Sequence, residues 1–142
     1  MLGAQGINIG TRFLASNEAP ITAQRKRNIL AAESEDTIKF DVWNDVFPLA
    51  GNEFLTIPRV LPSQFVKEWM NRHEDATQGR KRLQLEIDAS IIEGKFGGLL
   101  PFTGQTAGLI HEILPAGEIV RQIAAEAEEV LRRAGQLVSC NT

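Results

Sequence analysis

The stretch GAQGINIGTRF, from Gly3 to Phe13, constrains the fold more than any other part of the chain. Gly6–Ile9 has the composition of a buried strand, and it runs directly into Gly10 and Thr11 before a short apolar segment at residues 12–15. Gly10 has no Cβ, so a ligand phosphate can approach its amide closely. Thr11 adds a hydroxyl donor, and the amides that open the next turn point the same way. The stretch predicts a strand followed by an anion-binding turn, although spacing alone also fits an ordinary strand and turn.

Helical patterns dominate the rest of the chain. The most regular is the last, where apolar residues recur every three or four positions and form a continuous stripe. Glycines at 94, 97 and 98 predict the end of one helix and a flexible link to Pro101, and Gly135 predicts the end of the last. The predicted helices run from a cap at Ser16 or Asn17 to about Ala32, from Pro62-Ser63 to His73-Glu74-Asp75, from Arg80 to Glu93, from Thr106 to Leu114 and from Ala116 to Ala134.

Two further segments have strand character. Residues Thr37 to Trp43 alternate between apolar and polar side chains, which is the period of a half-buried strand. Residues Phe54 to Val60 follow a loop rich in turn residues and are predicted to pair back as a hairpin. The basic runs Arg25–Arg27 and Arg80–Arg82 both lie in helical segments, so we interpret them as solvated helix faces.

Composition excludes several classes of protein. The 142 residues allow one domain, and the net charge of −3 argues against a nucleic-acid binder. No stretch approaches the roughly 20 apolar residues of a membrane span, and the first residues lack the pattern of a signal peptide. Cys140 is the single cysteine, so neither a disulfide framework nor a cysteine metal cluster is predicted. We expect a cytoplasmic protein.

No residue pattern assigns a catalytic group or a metal ligand. His73 and His111 are the two histidines, and neither has a metal-ligand partner three or four residues away, so both are predicted to be exposed or capping. Ser139 and Cys140 have no neighbouring base or orienting carboxylate. The carboxylates are predicted to be loop and solvated-helix charges; the groups considered are Asp36, Asp41, Asp45 and Glu126-Glu128-Glu129.

The sequences of four blocks resemble the nitronate monooxygenase family, whose members are FMN-dependent barrel enzymes formerly called 2-nitropropane dioxygenases. The blocks occur in the family's order, and from the first to the last the resemblance spans most of the chain. FMN-dependent enoyl-acyl-carrier-protein reductases share the first block. The blocks are GAQGINIGTRFLASNEAP from Gly3, DTIKFDVWNDVFP at Asp36–Pro48, PRVLPSQFVKEW at Pro58–Trp69 and PFTGQTAGLIHEILPAGEIV at Pro101–Val120.

The resemblance implies an α/β fold, namely the C-terminal fragment of an FMN-binding (β/α)8 TIM barrel that is mostly helical with a few short strands. A whole barrel needs about 250 residues, so we expect residues 1–142 to be a single incomplete domain. Its parts would be the last barrel strand and phosphate loop at 3–16 and a following helical region at 17–142. A truncated or mis-started gene product is the expected origin. The alternatives are a non-catalytic fragment and a subunit that completes a flavin barrel in trans.

The implied activity is oxidation of a nitronate by oxygen to a carbonyl compound and nitrite, with FMN as cofactor. The family's contact with the FMN phosphate maps onto Asn8, Ile9, Gly10 and Thr11. The family's proton-abstracting histidine lies on an earlier barrel strand, so no catalytic residue is carried over. The expected partners are the small-molecule nitronate and oxygen, without nucleic acid or membrane. Self-association through the unpaired edge of the first strand, at Ile7 and Ile9, is also expected.

The turn at Gly104-Gln105 has two interpretations. It can be a tight entry that lets Gly108 pack closely against a neighbour, or it can bring Gln105 to the edge of the flavin or the mouth of the barrel. The resemblance covers this motif but assigns it no ligand.

Overall fold

The computed structural model describes residues 6–48 and 57–139, with side chains described as far as residue 135. These residues form eight helices, two short strands and two 3-10 turns, at Ser34–Asp36 and Gln105–Leu109. The expectation of a mostly helical chain with a few short strands is therefore confirmed. The elements are α1 (Thr11–Leu14), α2 (Ala23–Leu30), β1 (Ile38–Lys39), α3 (Val42–Val46), β2 (Arg59–Val60), α4 (Gln64–Trp69), α5 (His73–Gln78), α6 (Arg80–Ile92), α7 (Phe96–Leu99) and α8 (Ala116–Ser139).

The segment Gly6–Ile9, predicted to be a buried strand, is neither a strand nor buried. The Ile7 side chain is 74% exposed. A strand leaves its N–H and C=O groups unsatisfied until a neighbouring strand pairs with them. No segment of the described residues pairs with Gly6–Ile9, so the local preference for a strand is not realised.

The cap of α2 lies further along the chain than predicted. The Thr22 side chain accepts a hydrogen bond from the Arg25 N–H at 3.2 Å, and α2 therefore begins at Ala23. Ser16 instead forms a parallel bridge with Leu114, and the Asn17 N–H donates to the Leu114 carbonyl at 2.9 Å. The backbone at residues 16–17 is thus committed to a distant segment, and it is not available to start a helix.

The two strands pair antiparallel, with Ile38 opposite Val60, but helix α3 lies in the connection between them. The predicted pairing is confirmed at β2, whereas residues 54–56 of that prediction lie outside the described residues. The predicted strand Thr37–Trp43 is wrong beyond Lys39. There the Asp41 carboxylate accepts from the N–H of Val42, and the chain turns into α3.

The main hydrophobic core lies between the two paired strands and helices α3 to α7. As predicted, α4 begins after Ser63, whose hydroxyl accepts from the Val66 N–H at 3.1 Å, and its apolar face is buried. The rings of Phe40 and Phe65 meet edge to face with 6.4 Å between centroids. The buried members are Phe40, Val42, Val46, Val60, Phe65, Val66, Trp69, Ala76, Leu83, Ile87 and Leu100.

Several helix boundaries differ from the sequence prediction. Residues 73–75 begin α5 and do not close α4, and residues 96–99 form α7 where a flexible link was expected. The predicted helix at Thr106–Leu114 is only the 3-10 turn Gln105–Leu109. Helix α8 continues through Gly135 to Ser139. The end of α6 is as predicted, because Gly94 adopts a φ of +68°, a conformation that glycine adopts without strain.

A smaller cluster of buried residues, Ala15, Ile29 and Ile110, joins α1 and α2 to the 3-10 turn at Gln105–Leu109. This cluster lies under the segment that carries the predicted phosphate site. None of the helices in the described part of the chain is both long and apolar enough to cross a membrane.

Candidate functional site

The residues predicted to contact the FMN phosphate line one pocket of about 400 Å³. One wall is the stretch from residue 8 to residue 12, and the other comes from the turn near residue 104, almost a hundred positions later. The structure thereby brings together the first and last of the four sequence blocks. The lining residues are Asn8, Ile9, Gly10, Thr11, Arg12, Gly104, Thr106, Leu109 and Ile110.

The buried side chain of Thr11 joins the two walls. Its hydroxyl oxygen accepts a hydrogen bond from the Gly104 N–H at 2.8 Å. Because a hydroxyl has one O–H donor and two acceptor lone pairs, this contact leaves the proton of Thr11 Oγ1 available to a ligand. A Cβ at Gly104 would lie 3.3 Å from Thr11 Oγ1, so the absence of a side chain there permits the close approach.

The second wall is held against the 3-10 turn at Ser34–Asp36. Ser34 donates its hydroxyl proton to the Gln105 carbonyl at 2.8 Å. A Cβ at Gly108 would lie 2.7 Å from Ser34 Oγ and 2.8 Å from the Ser34 backbone nitrogen, which is closer than any side chain can fit. The prediction that Gly108 packs closely is therefore confirmed. The Gln105 side chain is exposed and does not line the pocket.

The first wall offers donors suited to an anion. Within the described residues, the backbone N–H groups of Gly10, Thr11 and Arg12 donate to no protein acceptor. No atom lies within 4 Å of the position that a Cβ of Gly10 would occupy, so the space beside that backbone is open. The Arg12 guanidinium donates to the Glu112 carbonyl at 3.0 Å, which keeps a positive charge at the pocket. These groups fit a phosphate better than a cation or an apolar ligand.

Arg25 has a structural role that its place in a basic run did not predict, since the run was interpreted as a solvated helix face. Arg25 is buried, and its guanidinium donates to the Gly97 carbonyl at 3.0 Å and the Phe102 carbonyl at 2.8 Å. Burial lowers the pKa of Arg25 from its ordinary value. The signal was present in the sequence: Arg25 is four residues from both Ile21 and Ile29, on the apolar face of the helix predicted there.

A larger pocket, about 510 Å³, lies between α2 and the glycines at 94, 97 and 98, with Arg25 in its lining. None of the predicted site residues lines it. Because its guanidinium already donates to protein oxygens, Arg25 holds α2 against the segment that leads to Gly104. Arg25 does not line the smaller pocket, but it supports the second wall of that pocket from the side of α2.

The two histidines lie outside the smaller pocket. His73 Nδ1 is 2.6 Å from Asp45 Oδ2, and this hydrogen bond raises the pKa of His73. Asp41 Oδ1 lies 3.6 Å from the other ring nitrogen. His111 is exposed. No group of three potential metal ligands occurs in the part of the chain that the structure describes.

Comparison with known proteins gives concordant matches. A family model described as nitronate monooxygenase matches residues 1–126. Nitronate monooxygenase npaC from Metarhizium robertsii is 27% identical over 136 residues, which covers 92% of this chain and 37% of npaC. The chain thus spans little more than a third of the length of that relative.

Two solved structures of FabK from Thermotoga maritima resemble the fold. FabK itself is 27% identical with a TM-score of 0.61, and the match covers 88% of this chain and 37% of FabK. A single-residue mutant of the same protein is 26% identical with a TM-score of 0.61, covering 93% of this chain and 36% of the mutant. The similarity again concerns about a third of the larger chain.

Proposed function

Because the chain belongs to the nitronate monooxygenase family, we propose that it forms part of a flavin-dependent oxidoreductase that uses FMN to oxidise nitronates with oxygen. The products are a carbonyl compound and nitrite. The observation that carries this proposal is the pocket in which residues 8–12 face the turn at Gly104, since both walls come from blocks that resemble the family. The similarity to npaC agrees with this assignment, and the similarity to FabK concerns the fold.

Within this proposal, residues 6–9 are the last strand of a (β/α)8 barrel when the rest of the barrel is present, Gly10 and Thr11 follow that strand, and the remainder is the helical region after it. Barrels of this class often hold a ligand phosphate with the loops after strands 7 and 8, at the start of a short extra helix. Helix α1, at Thr11–Leu14, has that position relative to Gly10. The open space beside Gly10 is where the phosphate would lie.

Each proposed contact uses an atom that the structure leaves free. The amides of Gly10 and Thr11 donate to phosphate oxygens, and the Thr11 hydroxyl donates while it still accepts from Gly104. Asn8 and Ile9 shape the wall beside them. The Arg12 guanidinium adds positive charge. FMN supplies the redox chemistry, and these residues bind and orient it.

The proposal is tested with a chimera in which residues 1–126 replace the aligned part of npaC. We expect the chimera to purify with bound flavin and to release nitrite from a nitronate. Gly10→Val should remove the flavin and leave the far-ultraviolet circular dichroism unchanged, because the branched side chain fills the space for the phosphate. Gly98→Val is the matched control, since its Cβ also meets no atom within 4 Å and it lies outside the phosphate pocket. A folded chimera without flavin, or a Gly10→Val chimera with a normal flavin spectrum, would contradict the proposal.

The 142-residue chain alone should bind FMN weakly, because it supplies only the wall for the phosphate and affinity depends on the number of well-placed contacts. In an NMR titration, FMN should shift the amide resonances of Gly10 and Thr11, whereas riboflavin, which lacks the phosphate, should not. Submicromolar affinity for FMN, or equal shifts with both compounds, would show that the assigned phosphate contact is wrong.

A further inference from the structure

Helix α8 leaves the body of the protein after its first turns. Ile119 is buried and Ile123 is partly buried, whereas residues 124–128 and 130–135 are all exposed. Val130 is 65% exposed and Leu131 is 56% exposed. Apolar side chains on a regular helix face are unfavourable in water, and a helix normally buries such a face against another element.

The apolar residues of α8 follow the spacing of a two-stranded coiled coil. They alternate between steps of three and four residues, which keeps them along one seam of a helix pair. The seam residues described here are Val120, Ile123, Ala127, Val130 and Ala134. Ala124 and Leu131 lie directly beside the seam on one side, and Glu126 and Arg133 lie beside it on the other.

A second copy of the same helix fits this seam when it runs antiparallel, with a two-fold axis beside residues 128 and 129. Ile123 then faces the partner's Ala134, and Ala127 faces the partner's Val130. Ala124 likewise faces the partner's Leu131. Each of these three pairs sets a large side chain against a small one, which is the condition for close interdigitation.

The charged residues beside the seam favour the same antiparallel orientation. In the antiparallel register, Glu126 lies opposite the partner's Arg133, and symmetry repeats this ion pair on the other half of the dimer. In a parallel pair, Glu126 would instead lie beside the partner's Leu131, and neither ion pair would form. Within one chain Arg133 Nε contacts Glu129 at 2.6 Å, so the partner's Glu126 would join an existing exposed ion pair.

In this arrangement the bodies of the two copies lie toward opposite ends of the helix pair. The register places the two Ile119 residues 19 positions apart along the pair, about 28 Å at 1.5 Å per residue. The seam from Ala127 to Ala134 also lies beyond residue 126, where the match to the family model ends. The surface shares no residue with the lining of the phosphate pocket, and most of its seam lies outside the matched region.

We propose that the outer part of α8 is a homodimerisation surface, on which two copies of this chain pair as an antiparallel coiled coil through Ile123, Ala127 and Val130, with Glu126 opposite the partner's Arg133. This surface differs from the exposed segment at Ile7, where self-association was expected from the sequence. The proposal does not depend on the oxidoreductase activity.

The test is sedimentation equilibrium of the full chain under reducing conditions, which exclude disulfides through Cys140. The unmodified chain should be dimeric at tens to hundreds of micromolar. Glu126→Arg and Arg133→Glu should each weaken the dimer about tenfold, because either change makes both exposed ion pairs repulsive. The double variant E126R/R133E should dimerise like the unmodified chain, and an equimolar mixture of the two single variants should form a heterodimer.

Glu128→Arg is the matched control, because it makes the same charge change on the side of the helix away from the seam and should leave the dimer intact. Circular dichroism establishes that each variant keeps its helix content. A monomer for the unmodified chain throughout this concentration range would overturn the proposal. A dimer that Glu126→Arg does not weaken, or a double variant that fails to recover, would overturn it equally.

Discussion

The wall of the phosphate pocket and the outer part of α8 are stabilised by opposite kinds of contact. The pocket wall depends on hydrogen bonds between distant residues: Thr11 and Gly104 are 93 positions apart, and Ser34 and Gln105 are 71 apart. The outer part of α8 is stabilised by ion pairs three or four positions apart, such as Glu129 with Arg132 and Arg133. A small change of shape should therefore be costly in the pocket wall and almost neutral in the helix.

The largest effect is expected for Gly108→Ala. The added methyl group would lie 2.7–2.8 Å from the hydroxyl and the backbone nitrogen of Ser34, and because a backbone atom cannot move aside cheaply, we expect a loss of roughly 1–3 kcal/mol. Urea denaturation measures the loss. Gly98→Ala is the control, since nothing lies within 4 Å of its Cβ position and the change should be neutral or slightly stabilising. Equal midpoints for the two variants would mean that the contact with Ser34 is not tight.

An intermediate effect is expected for Thr11→Val. Valine keeps the shape of threonine but removes the acceptor for the Gly104 N–H, and the loss of a partly buried hydrogen bond costs about 1 kcal/mol. Hydrogen exchange at the Gly104 amide should accelerate in this variant and stay slow in Thr11→Ser, which keeps a hydroxyl. If hydrogen exchange at the Gly104 amide were unchanged in Thr11→Val, the hydrogen bond between Gly104 and Thr11 would not be one of the contacts that join the two walls.

The smallest effect is expected for Arg132→Gln in α8. This change removes one exposed ion pair with Glu129, and such pairs contribute at most about 0.5 kcal/mol. The urea midpoint should shift by less than in either pocket variant, and the remaining difference should vanish at high salt. If Arg132→Gln destabilised the chain as much as Gly108→Ala, the contrast between local and distant stabilisation would be wrong.

The same contrast explains which elements the sequence predicted. Helix α6 and the starts of α4 and α8 were predicted nearly as observed, because a helix satisfies its own backbone within four residues and its apolar face is visible in the spacing. The prediction of a strand at Gly6–Ile9 was wrong, since a strand needs partners that local sequence does not specify. The assignment of the domain as the parts 3–16 and 17–142 of a barrel stays a prediction.

The candidate site was predictable only in part. The first wall, Asn8 to Thr11, was identified through its resemblance to the family, and the structure places it in a pocket, although contact with FMN stays a prediction. The pairing of that wall with Gly104 was not predicted, because it depends on one hydrogen bond between distant segments. Arg25 was misassigned because its charge was given more weight than its position between Ile21 and Ile29.

The links between residues 11–18 and residues 104–116 also determine the order in which the chain folds. Besides Thr11 and Gly104, they include the Asn17 N–H donating to Leu114 and the Glu18 carboxylate, which accepts from the N–H of Ala116 at 2.8 Å. Each closes a loop of about ninety or more residues, and the entropy of closure must be overcome before the contact contributes. Helices α4 to α6 can therefore assemble while the two walls are still apart, and the pocket forms among the last structures on the folding pathway.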